Sequence, residues 1–148
     1  MAILLADSGP DFLARGIPHE LAHLFQFRWG AALAQAPRWF LEGDARALEP
    51  ALFQAAALAN ARQIAHAGAL PGLLTWQAEP LGGAALADLT DVGASFVLFL
   101  EATYGPAWRP AFYAAWHQSA DFWRAFELSL GSSLLALEAA WRAWLLLG

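Results

Sequence analysis

The sequence contains no cysteine and no lysine. Without cysteine, disulfide bonds and thiolate metal ligands are excluded, so a metal ion can be bound only by histidine and carboxylate side chains. All eight basic residues are arginines, and they are scattered along the chain. This distribution forms no positively charged patch of the kind that binds nucleic acid, and we expect no nucleic-acid partner.

Long hydrophobic runs are also missing. Hydrophobic residues make up 59% of the chain, but no charge-free apolar segment reaches the length needed to cross a bilayer. Residues 1–12 have neither the basic region nor the long apolar region of a signal peptide. We therefore expect no membrane span and a cytoplasmic location.

Length and composition predict a single, mainly helical domain over residues 1–148. This length suits one hydrophobic core, and the abundant alanine and leucine favour helix. Residues 3–6 indicate at most one short strand, and residues 67–83 indicate a long loop. Proline and glycine predict helices over 18–34, starting at Pro18, and then over 37–49, 51–66, 86–104 and 107–117. Ser119 is the predicted N-cap of a sixth helix that ends at Gly131, and Ser132 or Ser133 is the predicted N-cap of the last helix.

Residues 19–23 have the sequence His-Glu-Leu-Ala-His. On a helix, His19 and His23 lie on one face, so both imidazoles can bind one metal ion. Glu20 points to the side of that ion, where its carboxylate can take a proton from a metal-bound water. The pattern is short, and it also occurs in helices whose two histidines are simply polar residues on a partly exposed face.

Glu42 follows His23 after eighteen intervening residues. About three further helical turns, a tight turn at 35–37 and one returning turn would bring Glu42 level with the histidines. Residues 39–41 are Trp-Phe-Leu, which indicates a largely buried helix, where a carboxylate needs a partner. We therefore predict that Zn²⁺ is bound by His19, His23 and Glu42, with water in the fourth position.

This combination resembles the gluzincin metallopeptidases. The residues that carry the likeness are HELAH at 19–23 and WFLEGDA at 39–45. The chain is most similar to the peptidase MA-like family, which is related to the catalytic domain of the M1 aminopeptidases. Segments 91–106 and 122–144 are similar to the helices that follow the glutamate-ligand helix in that family. The resemblance covers about residues 17–147.

The resemblance implies a zincin-like domain that hydrolyses a peptide or protein substrate, with zinc as cofactor and Glu20 as catalytic base. In the family several strands precede the HExxH helix and line the substrate cleft, whereas here eighteen residues precede His19. Three explanations stay open: the chain is a reduced form of the family, it is a fragment, or a second copy in a homo-oligomer or a partner chain supplies the missing strands. Many relatives also have an oxyanion-stabilising tyrosine at about the position of Val92, which cannot donate a hydrogen bond.

Two other functions stay open. A non-catalytic relative would keep the zinc site for stability or as a scaffold, and a helical module would bind a partner through its apolar surface.

Tyr104, Tyr113 or His117 could replace the missing tyrosine, although each is more typical of a core or helix-surface position.

Further candidates lie outside the three ligands and the base. Asp44 or Glu49 could hydrogen-bond a ligand histidine, although both are also typical solvated carboxylates. His66 lies near a helix end, where a cation is favourable, and we interpret it as structural. Trp76, in the predicted loop, is a candidate substrate contact; packing of the loop is the equally plausible alternative.

Overall fold

The computed structural model describes residues 10–28, 35–76 and 84–147. Over these residues the chain forms seven helices and no strand, so the prediction of a mainly helical protein is confirmed. The strand predicted at 3–6 lies outside the described residues. The helices are α1 (Pro10–Phe27), α2 (Arg38–Ala47), α3 (Ala51–His66), α4 (Ala84–Tyr104), α5 (Trp108–Ser119), α6 (Phe122–Leu130) and α7 (Leu134–Leu147).

The first helix begins earlier than predicted. It starts at Pro10, and Pro18, predicted as the first helical residue, lies inside it. An interior proline removes one main-chain hydrogen bond, but the turn before it is anchored by an ion pair: Nε of Arg15 lies 2.9 Å from Oε2 of Glu49. The helix ends at Phe27 and a turn follows at Arg28, while the rest of the predicted helix, 29–34, lies outside the described residues. Half of the 18 residues of α1 therefore precede His19.

Helices α2 and α4 cross at two glycines. A Cβ atom added to Gly43 would overlap the main chain of Gly93, and one added to Gly93 would overlap the carbonyl oxygen of Trp39. Only glycine therefore lets the two backbones approach this closely. The crossing buries Trp39 and Phe40 of α2 and leaves Glu42 in contact with α1.

Aromatic rings from α2, α4, α5, α6 and α7 dominate the core. The fully buried Phe40 ring has its centroid 5.0 Å from that of Phe122 and 5.2 Å from that of Phe112. This packing makes a rigid base for α2, and α1 packs against α2. Four tryptophans are buried in the core: Trp39, Trp108, Trp116 and Trp141.

The helix caps correct one further prediction. The N-cap of α6 is Asp121, whose carboxylate accepts from the main-chain N–H groups of the second and third helical residues. Ser119, predicted as this cap, is the last residue of α5 and is too far along the chain to reach those groups. Gly131 ends α6 with a φ of 66°, and Ser133 caps α7, both as predicted.

Residues 67–76 contain no helix, in agreement with the predicted loop, whose remainder, 77–83, lies outside the described residues. Indole Nε1 of Trp39 donates to the carbonyl oxygen of Leu73 at 3.2 Å. The N–H of Leu73 donates to Glu138 of α7 at 3.0 Å, and Arg142 donates to the carbonyl oxygen of Pro71 at 2.6 Å. These bonds fasten the loop to α2 and α7.

Among the described residues, no single helix has the length and apolar character of a membrane span. Helices α6 and α7 reach that length only as a pair, and a 74° bend separates them.

Candidate metal centre

Two histidines of α1 and one glutamate of α2 form a cluster. The Nε2 atoms of His19 and His23, one helical turn apart, are separated by 3.2 Å. Atom Oε2 of Glu42 lies 3.4 Å from Nε2 of His19 and 3.8 Å from Nε2 of His23. All three side chains are partly exposed. The structure therefore brings together the three residues predicted as metal ligands.

The distances within the cluster fit a tetrahedral metal ion. Zinc binds imidazole nitrogen and carboxylate oxygen at about 2.1 Å, so that two ligand atoms at a tetrahedral angle lie about 3.4 Å apart. The three donor-to-donor distances of 3.2, 3.4 and 3.8 Å bracket that value. Three protein donors leave the fourth position for water or substrate, an arrangement typical of catalytic zinc sites.

Glu49 contacts the ring nitrogen of His19 that faces away from the cluster. Its Oε1 lies 3.1 Å from Nδ1 of His19, which directs Nε2 of the same ring into the cluster. The Glu49 side chain is only 1% exposed, and it also accepts hydrogen bonds from Arg15 and Arg46. A carboxylate on the second ring nitrogen fixes the orientation of a metal-binding imidazole and makes it a stronger donor.

Gln26 makes the equivalent contact with His23, at the ring nitrogen that faces away from the cluster. Its Oε1 lies 2.8 Å from Nδ1 of His23, and its amide nitrogen donates to the carbonyl oxygen of Leu41 at 3.0 Å and to Asp44 at 3.3 Å. Sequence reasoning missed Gln26. The available signal was its spacing, three residues after His23 and so on the same helical face, but many helical glutamines have such a spacing.

Asp44 lies one step further from the cluster. It is buried, and it contacts Gln26 rather than a histidine. It also accepts from Nε of Arg109 at 2.8 Å and from the hydroxyl of Tyr113 at 2.7 Å. Burial and the Asp44 charge raise the pKa of Tyr113 well above its usual value, so that hydroxyl stays protonated and acts as a donor.

The charges of the cluster favour a cation at its centre. Burial lowers the pKa of His19, but hydrogen bonds and the charges of Glu42 and Glu49 outweigh that effect and raise the pKa to about 9. The hydrogen bond from His19 lowers the pKa of Glu42, against the raising effect of burial. In the metal-free state His19 therefore carries a proton at neutral pH. A metal ion would take the place of this proton.

Glu20, the predicted base, is half-buried and follows His19 directly on α1. At 3.6 residues per turn its side chain leaves the helix roughly 80° from the mean direction of the two histidines. No other residue in the described ranges forms a hydrogen bond or ion pair with it. Its side chain therefore leaves α1 to one side of the face that carries the two histidines.

The remaining predicted residues occupy different positions in the fold. Val92 is buried in the core, and the Tyr113 hydroxyl is committed to Asp44. Tyr104 ends α4 and is exposed, and His117 lies in the last turn of α5. Trp76 is partly buried against the core, so its described contact is with the protein itself. His66 ends α3, as its structural interpretation predicts.

Helix α1 exposes a large apolar surface beside the cluster. Six large hydrophobic side chains on this one helix are between 46% and 68% exposed: Leu13, Ile17, Leu21, Leu24, Phe25 and Phe27. A surface of this size on one helix is unusual in a protein that makes no further contacts.

Comparisons with known proteins give no relative of the chain. No family model matches it, and no curated protein or solved structure matches it either. The likeness to the peptidase MA-like family therefore stays a prediction that rests on the motif residues.

Proposed function

We propose that the protein is a zinc-dependent metallopeptidase in which His19, His23 and Glu42 bind the metal and Glu20 is the general base. The observation that carries the proposal is the cluster itself, whose three donor atoms lie 3.2–3.8 Å apart. Two imidazoles and one glutamate, with a glutamate directly after the first histidine, form the ligand and base set of HExxH zinc peptidases.

The donor set fits zinc better than the other common metals. Calcium and magnesium prefer shells made of oxygen, whereas this cluster offers two nitrogens and one carboxylate. Zinc held by His19, His23 and Glu42 would supply Lewis acidity, which would polarise a peptide carbonyl and lower the pKa of a bound water to about 7. The ligand side chains are partly exposed, so a substrate can reach this position.

The residues of the chain divide the remaining work. Glu20 accepts the proton of the attacking water at its carboxylate and passes it to the departing amine nitrogen. It can do so because no partner in the described residues occupies its oxygens. Glu49 and Gln26 hold the two imidazole rings in register, which keeps their Nε2 atoms directed at one point.

The proposal is tested in two steps. Metal analysis of protein purified without added metal should give about one zinc per chain for the wild type and much less for H23A. Fluorogenic peptides of mixed sequence should then be cleaved by the wild type, and E20Q should keep the zinc but lose about 10²–10⁴-fold in rate. H66A is the matched histidine control. Equal zinc in the wild type and H23A would overturn the metal site.

A second function is favoured by two observations. Val92 is buried where the family has its oxyanion-stabilising tyrosine, and one missing donor of this kind costs about 10²–10³ in rate. Six exposed apolar side chains also cover α1. A non-catalytic zinc protein that uses the metal to hold α1 against α2 and presents this surface to a partner accounts for both. Full zinc content without peptide cleavage by the wild type supports this second function.

A further inference from the structure

A chain of buried polar groups connects His23 to α5. It runs from Nδ1 of His23 to Gln26 at 2.8 Å, from Gln26 to Asp44 at 3.3 Å, and from Asp44 to the hydroxyl of Tyr113 at 2.7 Å. Gln26, Asp44 and Tyr113 are between 2% and 6% exposed. Buried polar groups are costly unless they are fully paired, so each member is held in place by the next.

These hydrogen bonds determine which nitrogen of His23 carries the proton. Both hydrogens of the Gln26 amide have acceptors, the carbonyl oxygen of Leu41 and the carboxylate of Asp44. Its oxygen therefore faces His23, and only a protonated Nδ1 can donate to that oxygen. The neutral ring then has its lone pair on Nε2, the atom that faces His19 and Glu42.

Asp44 in turn determines how the amide is oriented. Its carboxylate accepts from Tyr113 and from Arg109, both on α5. An ionised carboxylate only accepts hydrogen bonds, so it requires the NH₂ end of Gln26. Each hydrogen bond in this series therefore fixes the donor and acceptor of the next one. The series starts at α5 and ends at His23, where it determines that the lone pair lies on Nε2.

We propose that Gln26 is a positioning residue for His23, and that Asp44 and Tyr113 extend this function to α5. The proposal rests on the metal site proposed above. According to this proposal α5 influences metal affinity through these hydrogen bonds, although it contributes none of the three ligands. The two histidines also differ in the partner of Nδ1, which is the carboxylate of Glu49 for His19 and the neutral amide of Gln26 for His23.

The test is zinc affinity, measured by competition with a chromophoric chelator at fixed pH, in Q26M and Y113F. Methionine keeps the length and apolar bulk of glutamine but cannot accept from Nδ1. We expect Q26M to bind zinc about 10–100-fold more weakly than the wild type, and Y113F about 2–10-fold more weakly, the equivalent of one lost hydrogen bond. The matched control is Q63M, because Gln63 is exposed on α3, and it should leave affinity unchanged.

Two further measurements separate positioning from a purely structural role. The absorption spectrum of the Co²⁺-substituted protein should shift in Q26M, because the His23 ring moves relative to the metal. In an H23A background, adding Q26M should change metal affinity less than twofold, because the effect acts through His23. A structural role alone lowers the melting temperature of the metal-free protein and leaves the spectrum unmoved.

The outcomes are distinguishable from failure of the metal site. If the wild type binds no zinc, the metal site is wrong. If the wild type binds zinc and folded Q26M binds it within twofold of the wild type, the positioning proposal alone is overturned. Should Q26M not fold, Y113F decides: unchanged zinc affinity and an unchanged Co²⁺ spectrum in Y113F overturn the proposal.

Discussion

The Nε2 atoms of His19 and His23 lie 3.2 Å apart, and the Nδ1 atom of each ring is hydrogen-bonded on the far side. Because each Nδ1 is positioned to donate its proton to Glu49 or Gln26, the two Nε2 lone pairs face each other. Such an arrangement is favourable only with a positive charge between the rings, which is either a proton or a metal ion. Proton and metal therefore compete for one position.

This competition predicts that the stability of the metal-free protein falls with rising pH, whereas the affinity for zinc increases. The pKa of His19 is raised from 6.5 to about 9 in the metal-free protein. The corresponding stability, at most about 3 kcal/mol, is fully present below pH 6.5 and is lost as the pH rises through about 9. Zinc has to displace the same proton, so its affinity should rise about tenfold per pH unit over this window.

Denaturation at several pH values, with a chelator and with excess zinc, measures both trends. Calorimetric titrations in buffers of different ionisation enthalpy should show about one proton released per zinc bound near pH 7. H19Q is the control for the metal-free protein only, where it removes the titrating group and should abolish this pH dependence of stability. Parallel pH dependences of the metal-free and zinc-loaded proteins, or zinc uptake without proton release, would contradict this competition.

Replacing Glu49 by glutamine should impair both stability and metal binding. The change removes the charge that balances Arg15 and Arg46 and weakens the acceptor for His19. We expect a loss on the order of 3 kcal/mol in the free energy of unfolding and zinc binding about 10–100-fold weaker. Chemical denaturation and chelator competition measure the two. E127Q, at an exposed site on α6, should change neither, and an unchanged zinc affinity in E49Q would refute the role of Glu49.

A methyl group at the crossing of α2 and α4 should separate the two helices. In G93A the new Cβ atom meets the carbonyl oxygen of Trp39, and overpacking of this kind costs about 1–3 kcal/mol. Because α2 carries Glu42, zinc affinity should fall together with stability. T103A, at an exposed position of α4, should stay within about 0.5 kcal/mol of the wild type. Full stability of G93A would mean that the helices do not cross at these glycines.

The cap of α6 should lie at Asp121 and not at Ser119. In D121A two main-chain N–H groups lose their acceptor, which typically costs about 1 kcal/mol. In the described part of the chain the Ser119 hydroxyl accepts from the main-chain N–H of Asp121, which precedes α6, and from no N–H of α6 itself, so S119A should cost less. Thermal denaturation of the two variants decides between the positions. A larger loss in S119A than in D121A would restore the cap predicted from sequence.

Local sequence patterns predicted much of the helix arrangement. Proline and glycine marked the bounds of α3 and the end of α6, because these residues act within one or two positions of where they stand. The bounds of α1 could not be predicted in the same way. Pro18 has the properties of a first helical residue, but α1 begins at Pro10. Arg15, in the turn before Pro18, pairs with Glu49, a residue far away in sequence that no local pattern indicates.

The metal centre likewise has features that local sequence predicts and features that only tertiary contacts determine. That His19 and His23 share one helical face could be predicted from their spacing, because the periodicity of a helix is a local property. Glu42 does meet them, but the predicted route of about three helical turns past His23 is not what the structure describes, since α1 ends at Phe27, one turn after His23. Tertiary packing decided the rest: the close crossing at Gly43 positions α2, and burial selects Glu49 and Gln26 as the groups behind the two rings. Hydrogen-bond partners brought together from separate helices leave no pattern in a single sequence, since any buried polar group of suitable length could fill the place.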